Sequence, residues 1–146
     1  MTSLNVFLIK IHRRLYPQIK CPKLKIVKFR RNAQYLAFFE GKTDGGEPTI
    51  SIDVNYANLF NKNKRANEFI KRLLVHELTH YYAETYYLYV PLHHGSHYLN
   101  ILEDVAAKLD LNPADLYNFR SHCFARWGWR DRKIWPKKNH ISFREF

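Results

Sequence analysis

The apolar positions divide the chain into helical and extended stretches. Leu4, Leu8, Ile11 and Leu15 recur at helical spacing, with Thr2 or Ser3 as cap and Pro17 as stop, so a first helix runs to about Tyr16. Leu24, Ile26 and Phe29 read as a strand, and the aromatic-rich stretch 33–40 as a second. Residues 41–48 form a turn, strongest at Asp44-Gly45-Gly46. Ile50, Ile52 and Val54 alternate with Ser51 and Asp53, which predicts a third, half-buried strand. After the polar loop Asn61-Lys62-Asn63-Lys64, a long helix spans about 65–87. Leu99, Leu102, Val105, Ala106 and Leu109 then mark one face of a helix over 96–109. Asn112 caps a short helix that has Pro113 at its first position.

Composition narrows the classes. The 146 residues, 46% hydrophobic and 16% aromatic, suit one folded domain with a real core. No apolar run approaches the ~18–20 residues of a membrane-spanning helix, so no membrane partner is expected. The N-terminal stretch Val6-Phe7-Leu8-Ile9 stops at Lys10 and does not read as a secretory signal. The two cysteines, Cys21 and Cys123, form no C-x-x-C pair, which disfavours a disulfide framework and an all-cysteine zinc ribbon. Reduced thiols in a cytoplasmic protein are the expectation.

Charge changes the picture more. The net charge is +11, but residues 1–35 carry nine Lys/Arg and no acid, while 36–119 are net acidic. Residues 120–146 are again basic and hold Trp127, Trp129 and Trp135. The basic flanks read either as solvated surface or as a nucleic-acid footprint, with Lys and Arg on phosphates and Trp stacking on exposed bases. If DNA is bound, a nucleoid or nuclear association replaces the plain cytoplasmic one.

Chemistry concentrates in the acidic centre, where five of the eight histidines lie between His76 and His97. His76-Glu77-Leu78-Thr79-His80 is an H-E-x-x-H motif inside the long helix. Residues i and i+4 share a helix face, so both imidazoles can reach one ion. Zinc favours such nitrogen ligands, and Glu77 is placed to act as general base on an activated water. A catalytic zinc site wants a third protein ligand and one open position. His93, His94, His97, Glu103 and Asp104 all follow at usable distances, and spacing alone leaves them open. Glu84 sits too far along the helix.

The run Leu74-Val75-His76-Glu77-Leu78-Thr79-His80-Tyr81, followed by His94-Gly95-Ser96-His97-Tyr98, resembles the SprT-like (SprT/Spartan-like) zinc metallopeptidase domain family. Ile52-x-x-Asn55-x-x-x-Leu59 is also similar, and the likeness covers about residues 48–119. The resemblance implies an α+β, zincin-like single domain: an N-terminal helix, a small antiparallel sheet of about three strands, the H-E-x-x-H helix and further helices. It implies His76, His80 and His94 as Zn2+ ligands, Glu77 as catalytic base and Tyr98 as a packing aromatic. His97 stands where the family usually has an acid, and the cysteine-rich ribbon that follows the domain in some members has no counterpart in 120–146. The domain is expected over 1–119, with 120–146 a basic aromatic extension.

The expected function is a zinc metalloendopeptidase that hydrolyses polypeptides through a zinc-activated water, acting on nucleic-acid-associated proteins if the flanks bind DNA. The alternative is a DNA-binding accessory protein with a structural or vestigial zinc site. A closed structural site usually has four ligands, often cysteine. No cysteine lies near His76 and His80.

Overall fold

The computed structural model describes residues 3–29, 37–40, 47–62, 64–87, 90 and 94–117. The extension 120–146, the turn over 41–46 and His93 lie outside the described residues. Among the described residues, five helices and three strands follow in the order α1 (Leu4–Leu15), β1 (Lys23–Val27), β2 (Ala37–Glu40), β3 (Thr49–Asp53), α2 (Val54–Ala57), α3 (Lys64–Tyr86), α4 (Ser96–Leu109) and α5 (Pro113–Tyr117).

The helix α1 begins where the Ser3 hydroxyl accepts the Val6 N–H at 3.1 Å. Its buried stripe is Leu4, Phe7, Leu8, Ile11, His12 and Leu15, so a histidine interrupts an otherwise apolar face. That ring is satisfied on both sides. The Ile19 carbonyl lies 2.6 Å from Nε2 and can only accept, so Nε2 carries the hydrogen. Nδ1, 2.9 Å from the Tyr82 hydroxyl, then accepts. The bond ties α1 to α3. Nearby, Tyr16 donates to Asp104, and Lys108 reaches Asp104 at 3.2 Å and the Leu15 carbonyl at 3.0 Å, which ties α1 to α4.

Burial pushes the His12 pKa below its usual 6.5, against a smaller opposite push from the Ile19 carbonyl. The folded state therefore resists a proton that the unfolded chain accepts. Stability should be complete above pH ~6.5 and fall as pH drops toward the folded value. Urea midpoints measured against pH should show a steeper acid decline in the wild type than in His12→Gln. Equal slopes would remove His12 as a cause.

The sheet is mixed, which corrects the expectation of an antiparallel one. The strand order is β1-β3-β2. β2 pairs antiparallel with β3, but β1 pairs parallel with β3, with Leu24 opposite Ile50 and Ile26 opposite Ile52. β1 and β3 run the same way because β2 is the return strand between them, so placing β3 in the middle forces a parallel pairing. The central place suits β3, whose Ile50 and Ile52 are wholly buried. Its other face is buried too: Ser51 and Asp53 are covered, so the strand is not half-exposed. Asp53 accepts the Phe29 N–H at 3.1 Å. β1 lies at the sheet edge, and its Ile26 is 53% exposed. Val54, read as the end of the third strand, instead opens α2.

The helix α3 passes through the centre of the molecule. Ile70 and every residue from Leu73 to Ala83 are buried, as expected of a helix covered on all sides. α1, the sheet, α4 and α5 all pack on it. α4 ends on Asp110 in the left-handed region (φ 54°), with the Leu111 N–H bonded to the Ala106 carbonyl at 2.8 Å. α5 starts as expected: the Asn112 side-chain carbonyl accepts the Ala114 N–H at 3.1 Å, and Pro113 is the first helical residue. Among the described residues no helix is long and apolar enough to cross a membrane.

Candidate metal centre

Polar side chains in the buried turns of α3 need a reason, because an unpaired buried polar group costs ~1–3 kcal/mol. Thr79 has a local one, since its hydroxyl donates to the Val75 carbonyl at 2.8 Å. His76 and His80, one turn apart, are 3% and 5% exposed, and both face His94, which is 1% exposed. His94 arrives from the turn that enters α4, where Gly95 is the cap residue. Of the described residues left open by spacing, His94 is the one brought to the motif.

The three rings meet through their Nε2 atoms. His76 Nε2 and His80 Nε2 each lie 3.0 Å from His94 Nε2. No other His, Cys, Asp or Glu among the described residues joins this group, which can hold a metal ion. Hydrogen bonding accounts poorly for the cluster. A neutral His94 ring offers one hydrogen or one lone pair at Nε2, which two ring nitrogens could only share in a weaker three-centre bond. A cation at the common focus satisfies all three lone pairs. Zn–N bonds of ~2.0–2.1 Å in tetrahedral geometry place the nitrogens ~3.3 Å apart, close to the observed spacing.

His76 is held from behind. Its Nδ1 lies 3.0 Å from the Leu116 carbonyl on α5 and 2.9 Å from the Tyr98 hydroxyl on α4. Tyr98 in turn donates to the His76 carbonyl at 3.1 Å. Its ring packs against His80 at 4.4 Å and His94 at 5.0 Å between centroids. The family likeness marked Tyr98 as a packing aromatic, and its hydroxyl contact was missed. The Leu116 contact is a main-chain one, for which residue identity gives no signal.

Glu77 follows His76 on α3 and is buried without joining the histidine group. Burial pushes its carboxyl up to about 8, opposed by the main-chain N–H of Phe39 on β2. The Phe39 ring lies 5.3 Å from that of Tyr81. Among the described residues β2 has one ladder partner, β3, so the N–H that reaches Glu77 belongs to the other edge of β2.

The other described candidates lie elsewhere. The His97 ring stacks edge-on against Tyr87 at 4.5 Å. Asp104 is engaged by Tyr16 and Lys108, and Glu103 and Glu84 are not in the group. A cleft of about 500 Å3, lined by Lys64, Arg65, Glu68, Phe69 and Arg72, follows the first turns of α3 and does not include the histidines. In comparisons with known proteins, no family model matches the chain, and no curated protein and no solved structure matches it.

Proposed function

We propose that the protein is a zinc-dependent metallopeptidase of zincin-like architecture, with His76, His80 and His94 as ligands and Glu77 as general base. The observation that carries this reading is the convergence of three buried Nε2 atoms, two of them from α3, where the buried Glu77 follows His76 directly. Three histidines suit a catalytic zinc with an open position better than a closed structural one. When bound, zinc supplies Lewis acidity that makes water nucleophilic near neutral pH and polarises a carbonyl. Glu77 takes the proton of the attacking water and returns it to the leaving amine.

Metal analysis of the purified chain, with cleavage of an unfolded protein before and after chelation, tests the proposal. One zinc per chain and chelator-sensitive cleavage are expected. A chain that takes up no zinc overturns the reading.

DNA is proposed as a second partner because the described part of the N-terminal flank is basic and exposed: Lys10, Arg13, Arg14, Lys20, Lys23 and Lys25 all face solvent. A protein attached to the same DNA would meet this chain at high effective concentration. Anisotropy with a single-stranded oligonucleotide should show affinity falling with salt at a log–log slope of ~−0.7 per phosphate contacted. No binding at low salt would leave the flank as solvated surface.

A further inference from the structure

A histidine that binds a metal through Nε2 must carry its hydrogen on Nδ1, and something must hold it there. At His76 the structure shows two such holders. The Leu116 carbonyl, 3.0 Å from Nδ1, cannot donate, so the hydrogen between them belongs to the ring. The Tyr98 hydroxyl gives its hydrogen to the His76 carbonyl, so toward Nδ1, 2.9 Å away, its oxygen is an acceptor as well. Both Tyr98 and Leu116 are wholly buried, so water does not substitute for either.

We infer that Tyr98 and α5 are positioning elements that hold His76 in its Nδ1–H form, and that the seating of α5 sets how tightly the metal is retained. The inference rests on the metal-centre reading above. α5 has five residues, too few to persist on its own. It stays in place through the Asn112 cap and the burial of Leu116 and Tyr117. The Tyr117 ring also lies 6.0 Å from His94 and 6.4 Å from Tyr98, so one short helix braces two of the three ligands. Loosening it removes an acceptor from His76 and a packing partner from His94 together.

Two measurements on the full chain test this. Nitrogen-15 NMR of the imidazoles in the metal-free protein should show His76 with its hydrogen on Nδ1, and an Nε2–H pattern overturns the inference. Zinc affinity by chelator competition should fall ~10–100-fold in Tyr98→Phe, which keeps the ring and deletes one oxygen. Asn112→Ala should release zinc faster, and Asn112→Asp, which keeps a capping acceptor, should restore the wild-type rate. A wild type that takes up no zinc overturns the metal-centre reading, and this inference with it. A wild type that binds zinc, with Tyr98→Phe and Asn112→Ala both within twofold of it, overturns the inference alone.

Discussion

Glu77→Gln is expected to keep one zinc per chain and to lose peptide hydrolysis by at least ~10²-fold, within the range general acid–base groups contribute. The substitution preserves shape and removes the ability to take a proton. Glu77 is not a member of the three-histidine group, so its loss leaves the ligand set intact. The fold should survive as well. The carboxyl is buried, and burial disfavours its charged form. A neutral amide of the same shape puts no charge in the buried site, so the thermal midpoint should hold. Loss of activity without loss of metal or stability separates a proton-transfer role from a structural one. Metal analysis, a thermal scan and single-turnover cleavage of an unfolded protein give the three readouts. Undiminished cleavage in the variant would end the proposed mechanism.

Four of the five described helices were legible in the sequence through an apolar period or a local start or stop signal, whereas α2 begins at Val54, which reads as the end of the third strand. Ser3, Pro17, Asn112 and Pro113 mark ends that the structure places within a residue or two. α4 begins at Ser96 and ends at Leu109, the span its apolar face implies. The sheet was less legible because strand order is a tertiary property. Alternation at Ile50 and Ile52 says that the segment is extended, but not that it sits between two neighbours and is covered on both faces. Ile26 shows the same gap from the other side: an apolar residue in an edge strand can remain in solvent. In the site, i and i+4 spacing made His76 and His80 readable from helix geometry alone. His94 needed the chain to return to the helix, which spacing does not encode. His12 looks like any helix histidine until the Pro17 turn brings the Ile19 carbonyl to it.

His94→Ala is expected to cost the largest share of metal affinity. Small structural zinc sites bind with ~10–16 kcal/mol over four ligands, so one ligand is worth ~2.5–4 kcal/mol, or about 10²–10³-fold in affinity. His94 deserves the full amount, because its Nε2 is the atom that both other Nε2 atoms approach at 3.0 Å. His97→Ala and Glu103→Gln should stay within about twofold of wild type, since the His97 ring rests on Tyr87 and Glu103 lies outside the group. A packing explanation makes a different forecast from a ligand one. His94→Phe keeps an aromatic ring against Tyr98 and Tyr117 but offers no lone pair, so it should lose zinc as His94→Ala does. His94→Cys loses the ring but offers a thiolate, a good zinc ligand at ~2.3 Å, so it should recover part of the affinity. Chelator competition across these variants decides the matter. If His94→Phe binds zinc as tightly as the wild type, or if His97→Ala empties the site and His94→Ala does not, the assignment of the third ligand is wrong.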